Sequence, residues 1–124
     1  MYDKSNIFAK FLSGEVPVKK IYEDEYAIAF NDINPQAPVH VLVIPKGEYT
    51  SFEDFSAKAS DAEIAGYVRA IGKVSRQLEL DKSGYRLLVN MGANGGQEVP
   101  HLHTHIFGGA KLGRMVTVDN TPKS

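Results

Sequence analysis

The sequence predicts an α+β fold with a largely antiparallel sheet. Three observations predict it. About five short runs rich in β-branched and aromatic residues are joined mostly by short turns. Between Asp61 and Leu80, the residues Ile64, Tyr67, Val68, Ile71, Val74 and Leu78 recur every three or four positions, the period of an amphipathic helix. A shorter apolar stripe of Ile7, Phe8, Phe11 and Leu12 marks a second helix.

In chain order, Ser5 or Asn6 can cap that first helix, and Gly14 and Pro17 end it. Lys19–Glu23 and Tyr26–Asn31 read as strands of a hairpin turning at Asp24-Glu25. Asn34-Pro35-Gln36-Ala37-Pro38 is a loop, because its prolines remove donors and restrict the residues before them. Val39–Ile44 is a β-branched strand closed by Pro45. The segment Lys46–Ala59 shows no clear period and reads as irregular or a short helical turn. Ser60-Asp61-Ala62-Glu63 fits a capping box opening the long helix. Gly66 and Gly72 inside that helix each cost about 1 kcal/mol against Ala, which close packing against a neighbour would excuse. Asp81–Gly84 is a turn, Tyr85–Asn90 a strand and Met91–Gly96 a tight glycine-rich loop. Met1–Lys4 and Asn120–Ser124 read as loose tails.

Composition narrows the function. At 124 residues the chain is expected to form a single domain, and its hydrophobic content of 43% and charged content of 23% are ordinary for a globular protein. A formal net charge of −1 carries no basic footprint, so no nucleic-acid partner is expected. With Cys 0, disulfides, thiolate catalysis and cysteine zinc sites are excluded. No apolar run approaches the ~20 residues of a membrane span, and the polar start lacks the order of a secretory signal. A cytoplasmic protein with no membrane partner is the expectation.

The chemistry is concentrated in Val99-Pro100-His101-Leu102-His103-Thr104-His105-Ile106-Phe107. Three of the chain's four histidines alternate there with other residues, which is the side-chain period of a strand. All three imidazoles are expected on one face of that strand. A zinc site uses this row poorly: His101 and His105 would lie roughly 13 Å apart at ~3.3 Å per residue, too far to share one ion. His40, the only other histidine, would have to complete such a site. Nucleophilic catalysis uses the row better, with His103 attacking and its neighbours fixing its tautomer. The bare backbone of Gly92-Ala93-Asn94-Gly95-Gly96 could present N–H groups to phosphate, with Asn90 and Gln97 as neutral donors close by. A histidine beside a phosphate cradle suits a transient nucleotidyl intermediate.

The run His101-Leu102-His103-Thr104-His105-Ile106-Phe107 resembles the signature of the histidine triad (HIT) superfamily. Phe30-Asn31-Asp32-Ile33-Asn34-Pro35-Gln36-Ala37-Pro38-Val39-His40 is similar to a loop and strand of its Hint-like branch, the histidine triad nucleotide-binding proteins. Val89-Asn90-Met91-Gly92, Gly95-Gly96-Gln97 and Gly108-Gly109 resemble the same branch. The likeness spans roughly Ser5 to Gly113. It implies one HIT domain over 1–124, with a core of about 5–113 and a tail over 114–124. It also implies a five-stranded antiparallel sheet with two helices, and a two-fold homodimer joining two sheets through Asp61–Leu80 and Tyr85–Asn90.

The resemblance further implies hydrolysis or transfer at the α-phosphorus of a purine nucleotide, such as an adenosine or guanosine 5′-phosphoramidate, with no metal and no cofactor. His103 matches the nucleophile, His101 and His105 the flanking triad positions, and His40 a fourth histidine bonded into the triad. Asn90, Gly96, Gln97 and Val99 match phosphate contacts. Asp32 matches the carboxylate on the ribose, and Ile7, Phe8, Phe11, Phe30 and Ile33 match the walls of the base pocket. Glu98 departs from the pattern, since Hint-like chains commonly carry Ser or Thr there and a carboxylate repels phosphate. From the residues alone, Asp32 could instead cap the turn before Pro35, Asn90 could serve the strand end, and His40 could be structural. A nucleotide-binding scaffold with incidental hydrolysis and a dinucleoside polyphosphate hydrolase of the Fhit branch remain as alternative functions.

Overall fold

The structure, a computed structural model, describes residues 1–119. Helix α1 (Ile7–Ser13) begins where the Asn6 side chain accepts the Ala9 N–H at 2.9 Å, and ends at Gly14 in the left-handed region, φ 82°. The residues before it are not the loose tail expected. The Asp3 carbonyl accepts from both the main chain and the side-chain amide of Asn6, at 3.3 and 2.7 Å. The expectation for Asn120–Ser124 lies outside the described residues.

Strands β1 (Tyr22–Glu23) and β2 (Ala27–Asn31) form the expected hairpin, closed by Asp24 Oδ1 accepting the N–H groups of Tyr26 and Ala27. β1 is shorter than its sequence suggests, pairing only Tyr22 with Ala29 and Glu23 with Ile28. Strand β3 (Val39–Pro45) pairs with β2 along its length. Helix α2 (Phe52–Lys58) occupies the segment without a clear period, capped by the Ser51 side chain. Helix α3 (Asp61–Gln77) opens with the full capping box of Ser60 and Glu63. It stops short of Leu80 because Glu79 turns to φ 60°, and Leu80 starts a separate turn, α4 (Leu80–Ser83). Strand β4 (Arg86–Val89), the single helical turn α5 (Gly92–Gly95) and strand β5 (Thr104–Gly108) complete the order.

The five strands form one antiparallel sheet in the order β1-β2-β3-β5-β4. Side chains alternate between its faces. Ala27, Ala29, Val41, Val43, Leu102 and Ile106 pack under α3 against Tyr67, Ala70, Ile71 and Val74. Ile28, Phe30, Leu42 and Ile44 face the other way, beneath Phe8 of α1. Each large side chain buried this way contributes about 1.5–3 kcal/mol. The buried Tyr67 hydroxyl donates to the Val43 carbonyl at 2.7 Å and meets Thr104 Oγ1 at the same distance, tying α3 to the centre of the sheet. Gly66 has its reason within the chain: a Cβ there would collide with the Tyr26 ring. Gly72 meets only the flexible end of Arg76.

The histidine row differs from expectation in one respect. β5 begins at Thr104, so only His105 of the three lies within the strand; His101 and His103 lead into it. Pro45 in β3 explains this, because it has no N–H and its carbonyl is taken by the His101 ring. The alternation survives: Leu102, Thr104 and Ile106 turn toward α3, and the imidazoles take the α1 face.

Candidate active site

The α1 face of β3 and β5 brings all four imidazoles into one row. Leu42 pairs with His105 and His40 with Phe107, so His40 and His105 sit diagonally on adjacent strands. The ring centroids of His40 and His105, and of His103 and His105, are 5.2 Å apart, and the Phe8 ring stands edge-on to His103 at 5.0 Å.

The hydrogen bonds set the tautomer of every ring. His101 has no exposed surface; its Nε2–H donates to the Pro45 carbonyl at 2.9 Å, so its Nδ1 accepts from the Tyr2 hydroxyl. His103 donates Nδ1–H to the His101 carbonyl at 2.7 Å, which leaves a lone pair on Nε2. The Gln36 N–H reaches His40 Nδ1 at 3.1 Å, so His40 carries its proton on Nε2 and donates it to His105 Nδ1 at 2.9 Å. His105 must then hold its own proton on Nε2, a buried atom with no partner. A buried donor without a partner costs about 1–3 kcal/mol. An acceptor placed in the adjoining cavity would satisfy it.

Burial, the largest cause in each case, keeps these rings neutral. It lowers His101 and His105 to about 4, the latter also through the neighbouring His103 and His40. His40 and His103 are lowered too, against the opposing pull of Asp32 on both. At neutral pH the row therefore offers a nucleophilic lone pair and an N–H donor.

A cavity of about 440 Å³ opens over this row. Of the residues singled out by sequence, Phe8, Asp32, His40, Asn90, Gly96, Glu98, Val99, His103 and His105 line it. His101 lies beneath, sealed from solvent. Phe30 is buried under Phe8, and Phe11 packs beside both as a second layer. Ile33, 92% exposed, and Ile7 are solvent-exposed and do not line the cavity. Gln97 is a brace: its amide donates to the carbonyls of Thr50 and Val99, and its oxygen accepts the Gly92 N–H. The glycine loop is less open than expected. The Gly96 and Gln97 N–H groups bond back to Ala93 and Gly92, closing the turn rather than facing a ligand. Asp32 does two things at once: Oδ1 caps the turn at Asn34, and Oδ2 stands 3.5 Å from His40 Nε2.

Asn34, Gln36 and Leu42 also line the cavity and were not singled out. The two polar residues sit in the proline-bracketed loop, whose composition signals only a turn. Tyr2 was missed because nothing in its neighbourhood has a period. The cavity walls include the carboxylates of Asp32 and Glu98 but no Lys or Arg, so electrostatic support for an anion must come from neutral donors.

Asp32, His40 and His105 bring donor atoms within 4.8 Å of one another. They do not fit a resident metal ion. A metal on His40 Nε2 would displace the proton that the Gln36 N–H holds there, and would break the His40–His105 bond.

The HIT domain family matches residues 13–112. A HIT-like protein of Azospirillum brasilense is 57% identical over 116 residues, covering 94% of this chain and 95% of that one. The purine nucleoside phosphoramidase of Escherichia coli is 38% identical over 113 residues, covering 91% and 94%. Among solved structures, a histidine triad protein from Clostridium difficile superposes with a TM-score of 0.81 at 41% identity, covering 94% of this chain and all of its own. The sheet, the imidazole row and these likenesses define a histidine triad protein. The chain belongs to the HIT family.

Proposed function

We propose that this protein is a nucleoside phosphoramidase, cleaving the P–N bond of purine nucleoside 5′-phosphoramidates through a nucleotidyl intermediate on His103. One observation carries the reading: a neutral imidazole with a free Nε2 lone pair borders the same cavity as an unpartnered imidazole N–H. His103 Nε2 attacks the α-phosphorus and the P–N bond breaks. The amine takes a proton from solvent water in the open cavity as it leaves, and the water that attacks in the second step returns one to solvent. Water then attacks the phosphorus, releasing the nucleoside monophosphate and restoring His103. The His105 Nε2–H bonds a phosphoryl oxygen as charge develops, and Asn90 supplies a second neutral donor. Asp32 takes the ribose hydroxyls, while Phe8, Leu42 and Val99 give the nucleoside its apolar contact. The likeness to the Escherichia coli phosphoramidase supports the same chemistry.

The working unit in this reading is a homodimer. β4 is an edge strand, and Phe52, Val68, Leu87 and Val89 expose apolar surface around a groove floored by Tyr67 and Ile71. A second copy placed there would cover both the apolar surface and the unpaired edge. Among the described residues no helix is long and apolar enough to cross a membrane, in keeping with the proposed cytoplasmic setting.

Turnover of adenosine 5′-phosphoramidate tests the function. The wild type should hydrolyse it, and His103→Ala should lose at least about a thousandfold in kcat while still binding AMP. A wild-type rate near the uncatalysed one would instead identify a nucleotide-binding protein.

A further inference from the structure

The hydroxyl of Tyr2 is the one polar contact that reaches the histidine row from the start of the chain. Its partner, His101 Nδ1, belongs to a ring with no exposed surface. The segment carrying Tyr2 is fastened by the two residues that follow it. Asp3 holds the cap of α1 through Asn6, and Lys4 pairs with Glu48 at 3.7 Å. The Tyr2 ring packs edge-on against His101, centroids 5.6 Å apart at 75°.

We infer that Tyr2 is a positioning residue for the His103 nucleophile. The Pro45 carbonyl can only accept, so His101 must present N–H at Nε2 and a bare Nδ1. In a dry interior that bare nitrogen needs a donor, and the Tyr2 O–H supplies it. With both nitrogens bonded, the His101 ring cannot flip or exchange tautomers without losing two contacts. Its main chain is thereby fixed, and the His101 carbonyl is what accepts Nδ1–H from His103. Tyr2 thus acts through His101 on the tautomer and aim of the ring whose Nε2 borders the cavity. Tyr2 does not itself line the cavity.

Losing the hydroxyl leaves His101 Nδ1 unpaired in the interior. The ring then has reason to flip or admit water, and the hold on His103 loosens. Partners that fix a metal-bound histidine from behind commonly matter by ~10–100-fold in activity, and an effect of the same order is expected for Tyr2. The effect should fall on the chemical step, because the groups lining the cavity are untouched.

The catalytic part of this inference rests on the phosphoramidase reading, so the test has one arm that needs no substrate. Tyr2→Phe keeps the ring and removes only the oxygen. Imidazole 15N spectra of the histidine-labelled protein should show His103 as a single Nδ1–H tautomer in the wild type. In Tyr2→Phe, His103 should show a mixture, with the His101 Nδ1 signal moved toward a free lone pair. Against adenosine 5′-phosphoramidate, kcat should fall about tenfold, with KM and the Kd of AMP within about twofold. Lys4→Ala, which disturbs the same segment without touching the hydroxyl, should leave both readings at the wild-type level. An unchanged His103 spectrum in Tyr2→Phe overturns the inference. So does a loss shared equally by Lys4→Ala, which would make Tyr2 a tether only. A changed spectrum in a protein whose wild type has no turnover keeps the positioning role and rejects the phosphoramidase reading.

Discussion

Nε2 of His40 stands 2.9 Å from Nδ1 of His105, and that one bond decides which nitrogen of His105 carries its proton. The decision is made further back, by the main-chain N–H of Gln36 on the far side of the His40 ring. A proton placed by a loop amide thus fixes two imidazoles in series and ends as a donor with no partner among the described residues.

Removing the middle of this relay should be costly. In His40→Ala, the His105 ring is free to carry its proton on Nδ1 and to present a lone pair to phosphate, which repels it. The expected loss in kcat/KM is about 10–100-fold, with the fold intact by circular dichroism. Activity within about twofold of wild type would show that the relay does not set the His105 tautomer.

The neutral row also predicts how stability depends on pH. An unfolded histidine titrates near 6.5. In the folded protein His101 and His105 are held at about 4, and His40 and His103 are lowered as well. As pH falls below about 6.5 the unfolded chain binds protons that the native row refuses, so the unfolded state gains. The stability from these rings is therefore fully present above about 6.5. It is lost progressively as pH falls toward about 4, below which both states are protonated. Urea midpoints should be level between pH 7 and 8 and clearly lower at pH 5. The acid limb of kcat should likewise lie below the ordinary imidazole value, because His103 is lowered. A midpoint unchanged from pH 7 to pH 5 would mean that the rings are charged or solvated in the folded state.

The edge strand and its apolar surroundings predict a two-chain particle. Sedimentation at micromolar concentration should give twice the mass of one chain. Val68→Glu combined with Leu87→Glu should return it to one chain, since like charges at these exposed apolar positions would be buried unpaired in the assembly. A wild type that sediments as a single chain would remove the proposed partner.

The fold was legible where local chemistry decides it. Asn6 and Ser60 announce their helices because a capping side chain acts within three residues. The imidazole face was legible because alternation needs only an extended backbone. The start of β5 was not, because Pro45 of a distant strand determines where its ladder begins. α2 stayed hidden since its one fully buried side chain, Phe55, makes no period. α4 depends on Glu79 at φ 60°, a conformation that glutamate does not advertise. Within the site, the histidines and Asp32 could be read from residue type and from the family resemblance. The Gln36 N–H could not, because every residue but proline has that group. Ile33 and Ile7 are exposed and lie outside the cavity lining.

The central claim is that His103 bonds covalently to phosphorus. The most direct test is mass spectrometry of the protein quenched with base during turnover of adenosine 5′-phosphoramidate. An added adenylyl group is expected on His103, absent from His103→Ala. Rapid turnover with no adduct at any histidine, or an adduct on His101, His105 or His40, would contradict it.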